Sequence, residues 1–71
     1  MKVSDFTKRE LYHFLAFCNF TPTEEQLFNL RSKDMTLEAC AAQMNMSVQN
    51  VYRINKRMKS KIEQELSRVR N

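Results

Sequence analysis

The sequence predicts an all-α domain of four helices, and three observations predict it. The chain has 71 residues with no glycine and one proline, which disfavours the tight hairpin turns of a small sheet, because those turns need residues at positive φ. Four Ser or Thr residues, Thr7, Thr21, Thr36 and Ser47, each stand at the start of a helical apolar stripe. Asn and Asp, which tolerate left-handed backbone, fall between the stripes. A chain of this length buries only about 60% of its unfolded surface. That leaves no room for a catalytic cleft between two domains, and residues 1–71 read as one domain.

The first helix is expected over residues 7–18. Thr7-Lys8-Arg9-Glu10 is a capping box, in which the Thr hydroxyl takes the Glu amide and the Glu carboxylate reaches back. Phe6 and Leu11 have the spacing of a hydrophobic staple. Leu11, Phe14, Leu15 and Cys18 recur at helical intervals, and Tyr12, Ala16 and Phe17 widen the apolar surface. The second helix opens on Thr21, Pro22 and Glu24, a second capping box with Pro in the first turn. Leu27, Phe28 and Leu30 give it a buried side, and Lys33-Asp34 make the turn. Thr36 caps the third helix, whose stripe is Leu37, Cys40, Ala41 and Met44, and Asn45 ends it. Ser47 caps the fourth. Val51, Ile54, Met58, Ile62, Leu66 and Val69 follow one stripe with no Gly or Pro between, so a single long helix is expected.

The charge is uneven. The net charge is +4. From Ser47 onward there are seven cations (Arg53, Lys56, Arg57, Lys59, Lys61, Arg68, Arg70) and two anions (Glu63, Glu65), while the first 46 residues are slightly acidic. A one-sided positive excess points to a polyanionic partner.

Residues of about 36–59 have the layout helix, short turn, basic helix, which is that of the helix-turn-helix motif. Its requirements are met residue by residue. Ala41 and Ala42 allow close crossing, Asn45 allows the reversal, Met46 plugs the turn and Val51 anchors the second helix. Projected at about 100° per residue, Gln49, Arg53, Lys56 and Ser60 fall opposite the apolar stripe, with Tyr52 and Arg57 flanking them. Gln pairs with adenine and Arg with guanine in the major groove. Lys56, Arg57 and Lys59 suit phosphates, for a salt slope near −4.5 if about five are neutralised. Thr36, at the start of the supporting helix, is placed to donate to the backbone.

From Phe20-Thr21-Pro22-Thr23-Glu24-Glu25-Gln26-Leu27-Phe28-Asn29-Leu30-Arg31, through Met35-Thr36, Cys40-Ala41, Met44-Asn45-Met46-Ser47 and Val51 to Arg57-Met58, the chain resembles LuxR-type DNA-binding domains and region four of bacterial sigma factors. The resemblance covers roughly residues 20–62, with Ile54 closer to the sigma pattern. It implies a three-helix core plus the N-terminal helix, a long C-terminal recognition helix, and promoter reading by Gln49, Asn50, Arg53, Lys56 and Arg57. It also implies contact with RNA polymerase in the sigma-like subset and dimers in many LuxR-type domains. Asp34 stands where the family often has Gly, and Ala42 where a longer polar residue is common.

The expected function is therefore a cytoplasmic, sequence-specific transcriptional regulator of duplex DNA and not an enzyme. Thr36, Ser47, Gln49, Asn50, Tyr52, Arg53, Lys56, Arg57 and Ser60 form the expected interface. The alternative is a protein-interaction module docking on RNA polymerase or a sigma or anti-sigma partner. RNA binding is less favoured, since no sheet carries stacking aromatics. The competing reading of the basic face is an ordinary solvated surface, and Tyr52 equally suits a rim aromatic over the core.

No Gly-rich phosphate loop, nucleophile–base set or cofactor signature is present. Glu24-Glu25 suits a helix start. His13 has no ligand-spaced companions for a metal. Cys18 and Cys40 read as core filler. No segment has the run of about 20 apolar residues that spans a bilayer, and the first ten residues lack an apolar leader. For the tail two arrangements stay open. Ile62, Leu66 and Val69 pack on the first helix within one chain, or they join a homodimer through Leu11, Phe14, Leu15, Ile62 and Leu66. The apolar breadth of the first helix tilts the expectation to the dimer.

Overall fold

The computed structural model describes residues 2–70. Four α-helices follow a short 3-10 turn at Val3–Asp5: α1 (Lys8–Phe17), α2 (Pro22–Ser32), α3 (Leu37–Met44) and α4 (Val48–Arg70). The described residues contain no strand, and the architecture is all-α.

The helix starts form as their chemistry dictates. Thr7 accepts the Glu10 amide at 3.2 Å while the Thr7 amide donates to Glu10 Oε1 at 2.8 Å. Thr21 and Glu24 repeat the box at 3.2 and 3.0 Å, with Pro22 in the first turn of α2. Thr36 accepts the Ala39 amide at 3.1 Å and Ser47 the Asn50 amide at 3.2 Å. Each such cap stabilises its helix by about 1 kcal/mol.

Three residues adopt the left-handed region, Asn19 (φ 54°), Asp34 (φ 63°) and Asn45 (φ 55°). Each lies where one helix must hand over to the next. A chain without glycine has Asn and Asp as its least costly choices there. Asp34 closes its turn with its amide on the Arg31 carbonyl at 2.9 Å, and the Arg31 guanidinium caps the Met35 carbonyl at 2.6 Å.

One core forms from Val3, Phe14, Cys18, Leu27, Phe28, Cys40, Ala41, Val51, Met58 and Ile62. Burying each large side chain contributes about 1.5–3 kcal/mol. α2 packs on both α3 and α4, the Val3–Asp5 turn lies on α2, and α1 lies on α4. The molecule is 37 Å long and 19 Å across, and α4 at about 1.5 Å per residue accounts for nearly all of that length.

The C-terminal half of α4 packs within the chain. Phe14 and Ile62 are fully buried, and Leu11, Leu15 and Leu66 lie against the same core. Phe14 and Ile62 are thus unavailable to a two-fold contact, and the dimer surface expected from sequence is corrected at those positions. The Val3–Asp5 turn and Phe6, whose ring sits 4.8 Å from that of Phe14, supply cover that the sequence did not announce. Val69, at the far end of the stripe, is 59% exposed.

Both free cysteines are buried. Burial pushes both thiols up, Cys18 to about 11. Within the apolar stripe of α4 sits Asn55, 7% exposed. Its side-chain oxygen has no hydrogen-bond partner among the described residues.

Two stability predictions follow from these placements. Asn45→Ala should destabilise by about 1 kcal/mol, because a Cβ without Asn's local hydrogen bonding is disfavoured in left-handed backbone, while Asn45→Gly should be near neutral. Asn55→Leu should stabilise by roughly 1 kcal/mol by removing an unsatisfied buried acceptor. Urea denaturation midpoints check both, and an Ala variant as stable as the Gly variant would contradict the first.

Candidate nucleic-acid interface

The site is built by the turn between α3 and α4. Asn45 takes φ 55° and ψ 48°, and its amide bonds back to Ala41 and Ala42 carbonyls. The Met46 amide follows onto the Ala41 carbonyl at 3.0 Å, which satisfies the carbonyls that a helix end leaves open. Met46 is half-buried and Val51, one turn into α4, is fully buried. Three residues therefore separate the two helices, and Val51 fixes how α4 is rotated about its own axis.

That rotation decides the outward face. Thr36, Ser47, Gln49, Asn50, Tyr52, Arg53, Lys56, Arg57 and Ser60 are all exposed. Arg53, Lys56, Arg57 and Ser60 together line one shallow concavity along α4. Gln49, Asn50 and Tyr52 lie one turn nearer the helix start and outside that concavity. Thr36 and Ser47 are placed apart from it, at the N-termini of α3 and α4. Both hydroxyls already accept a backbone amide, so each keeps its O–H free to donate.

The described cations of the C-terminal third divide into two groups; the side chain of Arg70 lies outside the described residues. Lys61 donates to Glu24 Oε1 at 2.6 Å and to the Asn19 carbonyl at 3.0 Å. Arg68 donates twice to Glu65, at 3.0 and 2.7 Å. By contrast, no ion pair among the described residues engages Arg53, Lys56, Arg57 or Lys59. The basic excess is therefore concentrated on the first half of α4, opposite its buried stripe. Sequence counting includes Lys61 and Arg68 in the excess, but both are engaged within the chain.

Two carboxylates hold α4 in place and were not singled out for this role by sequence. Glu24 is almost fully buried, and burial pushes its carboxyl up. The Lys61 and Thr21 hydrogen bonds outweigh that and hold it below its ordinary value. It thus caps α2 and ties α2 to α4 at once. Glu65, 6% exposed, also receives the His13 Nε2–H at 2.7 Å, which ties α1 to α4. The Arg68 hydrogen bonds above all, helped by His13 against the cost of burial, bring its carboxyl down to about 2. The signal available in sequence was the place of Glu65 three residues after Ile62 and three before Arg68. Val48 is another exposed residue beside the outward face that sequence reading passed over. Its signal was a β-branched apolar residue lying off the stripe.

No family model matches the chain, and neither a curated protein nor a solved structure matches it. The described residues contain no cluster of three metal-ligating side chains, and no helix among them is long and apolar enough to cross a membrane.

Glu65 titrates from an ordinary 4.5 down to about 2 in the folded chain. A depressed folded value means that its contribution is full above 4.5 and is lost as pH falls toward 2. The melting temperature should therefore decline across that window, and the decline should be shallower in Glu65→Gln, where the titrating group is gone. Glu24 keeps some slope in the variant. Parallel melting profiles for the two chains would refute the role given to Glu65.

Proposed function

We propose that this chain is a sequence-specific DNA-binding transcriptional regulator, cytoplasmic and of bacterial or phage type, that places the first half of α4 in the major groove. One observation carries the reading. A face of exposed amides and cations without carboxylate partners stands opposite a sealed Val51, directly after a three-residue turn. Solvated helix faces usually mix both signs of charge. Here the only anions from Ser47 onward are Glu63 and Glu65, and both follow the exposed cationic stretch.

In this reading Gln49 pairs with adenine and Arg53 with guanine. Asn50 flanks them. Lys56, Arg57 and Lys59 neutralise phosphates, and Thr36 and Ser47 add hydroxyl donors to the backbone. The resemblance of residues 20–62 to LuxR-type domains and sigma region four supports the same assignment, and binding rather than catalysis is the activity it assigns. No cofactor is needed.

A second reading rests on a different observation. Tyr12 and Phe17 are largely exposed on α1, away from the face of α4 just described. They suit docking on RNA polymerase or a sigma or anti-sigma partner.

Fluorescence anisotropy against duplexes selected from a random library separates the two readings. Four unpaired cations, Arg53, Lys56, Arg57 and Lys59, replace the larger number expected from sequence, so log K should fall with log salt at a slope of roughly −3.6. Arg53→Ala combined with Lys56→Ala should weaken binding by at least about tenfold at low salt and reduce the slope by roughly 1.8. Binding that ignores salt, or that survives this double substitution, contradicts the proposal. Nuclease-insensitive capture of polymerase with no duplex affinity would favour the second reading.

A further inference from the structure

Five large apolar side chains are exposed among the described residues: Tyr12, Phe17, Val48, Tyr52 and Val69. Two of them are on the front half of α4. Val48 is 37% exposed and Tyr52 51%. They are four residues apart on one helix, so their side chains stand next to each other. Together they make an apolar strip bordering Gln49, Arg53 and Lys56. The core does not use this strip, since the buried residues of α4 are Val51, Asn55, Met58, Ile62 and Glu65.

Val48 is the first residue of α4, immediately after the Ser47 cap. Its branched side chain is stiff at χ1, and the cap fixes the backbone that carries it. A rigid isopropyl group is thus held at the leading end of the outward face, with an aromatic ring one turn behind. Amides and cations recognise acceptors and phosphates. An apolar strip among them recognises an apolar spot on an otherwise polar surface. In the major groove the thymine C5-methyl is that spot, and no other base presents one.

We infer that Val48, backed by Tyr52, is a specificity-determining residue that reads a thymine methyl in the major groove beside the base pair contacted by Gln49. The inference rests on the DNA-binding reading above and adds a base identity to it. It makes the recognised site contain an A·T pair at the position facing the start of α4, with the guanine read by Arg53 one turn further along.

The test uses a duplex selected by the wild-type chain from a random library. Each thymine is replaced in turn by deoxyuridine, which removes only the 5-methyl group. Burying one methyl suggests a penalty of roughly fourfold in Kd at one thymine position. Val48→Ala should bind the thymine and uracil duplexes equally at that position, while keeping the wild-type melting temperature and salt slope. The substitution truncates a partly exposed side chain at a helix start and leaves the core intact. If no uracil replacement weakens wild-type binding, or if Val48→Ala keeps the wild-type uracil penalty, the inference is overturned although salt-dependent DNA binding stands. Absence of any salt-dependent duplex binding overturns the DNA-binding reading itself.

Discussion

Val51 is sealed in the core one turn into α4, six residues after a left-handed Asn45, and this pairing sets the rotation of α4. Each residue of a helix turns the next by about 100°, so slipping the register by one would carry Arg53 and Lys56 round to the flank of the body. The slip is opposed at both ends of the turn. Asn45 and Met46 return their amides to α3 carbonyls, and Ser47 takes the Asn50 amide. Met58 and Ile62, both fully buried, repeat the anchoring along the helix. The outward face follows from what is fixed inside, which is why the direction of four cations can be argued from an apolar residue.

Electrostatics sorts the remaining charges into two kinds. Glu24 and Glu65 are carboxylates taken out of water, and burial alone would push such groups toward the neutral form. Each keeps its charge by accepting hydrogen bonds from cations of α4, Lys61 and Arg68 respectively. Exposed ion pairs contribute little, but a buried carboxylate that loses its partner is costly. Lys61 is accordingly tied to α2, and Arg68 to Glu65 on its own helix. Arg53, Lys56 and Arg57 engage no ion pair among the described residues and stay exposed to solvent. Neutralising phosphates releases counterions, so positions that engage no ion pair among the described residues suit the binding proposed.

Much of the fold was legible because its signals are local. Thr7, Thr21, Thr36 and Ser47 announce helix starts through hydroxyl geometry that needs no tertiary partner. Asn19, Asp34 and Asn45 announce reversals, because a glycine-free chain offers few other residues for left-handed backbone. What stayed hidden depends on contacts distant in sequence. The Val3–Asp5 turn is too short to show periodicity, yet Val3 enters the core. That turn and Phe6 cover part of α1 within one chain, though Tyr12 and Phe17 stay exposed. Glu65 and Asn55 break the polarity pattern of their stripe; Arg68, three residues on, is a local partner for the first, but nothing local says that His13 of α1 also reaches it or that the Asn55 oxygen has no partner among the described residues. The outward face was legible as a pattern of residue types. Which of its neighbours are committed inward was not, since Lys61 reaches Glu24 across 37 positions of sequence.

The length of α4 makes sense once its two halves are separated. A helix that only presented Gln49 to Ser60 would need little more than three turns, yet α4 runs for 23 residues. The second half carries Lys61, Ile62, Glu65 and Leu66, which join it to α1 and to the start of α2. A short helix is marginal without tertiary packing, and the reading surface proposed for α4 must hold its side chains within narrow geometric limits. The buttressed second half supplies that rigidity from a position remote from the outward face. Residues beyond Ser60 therefore govern how firmly the front half is held, and residues before it govern what that half can contact.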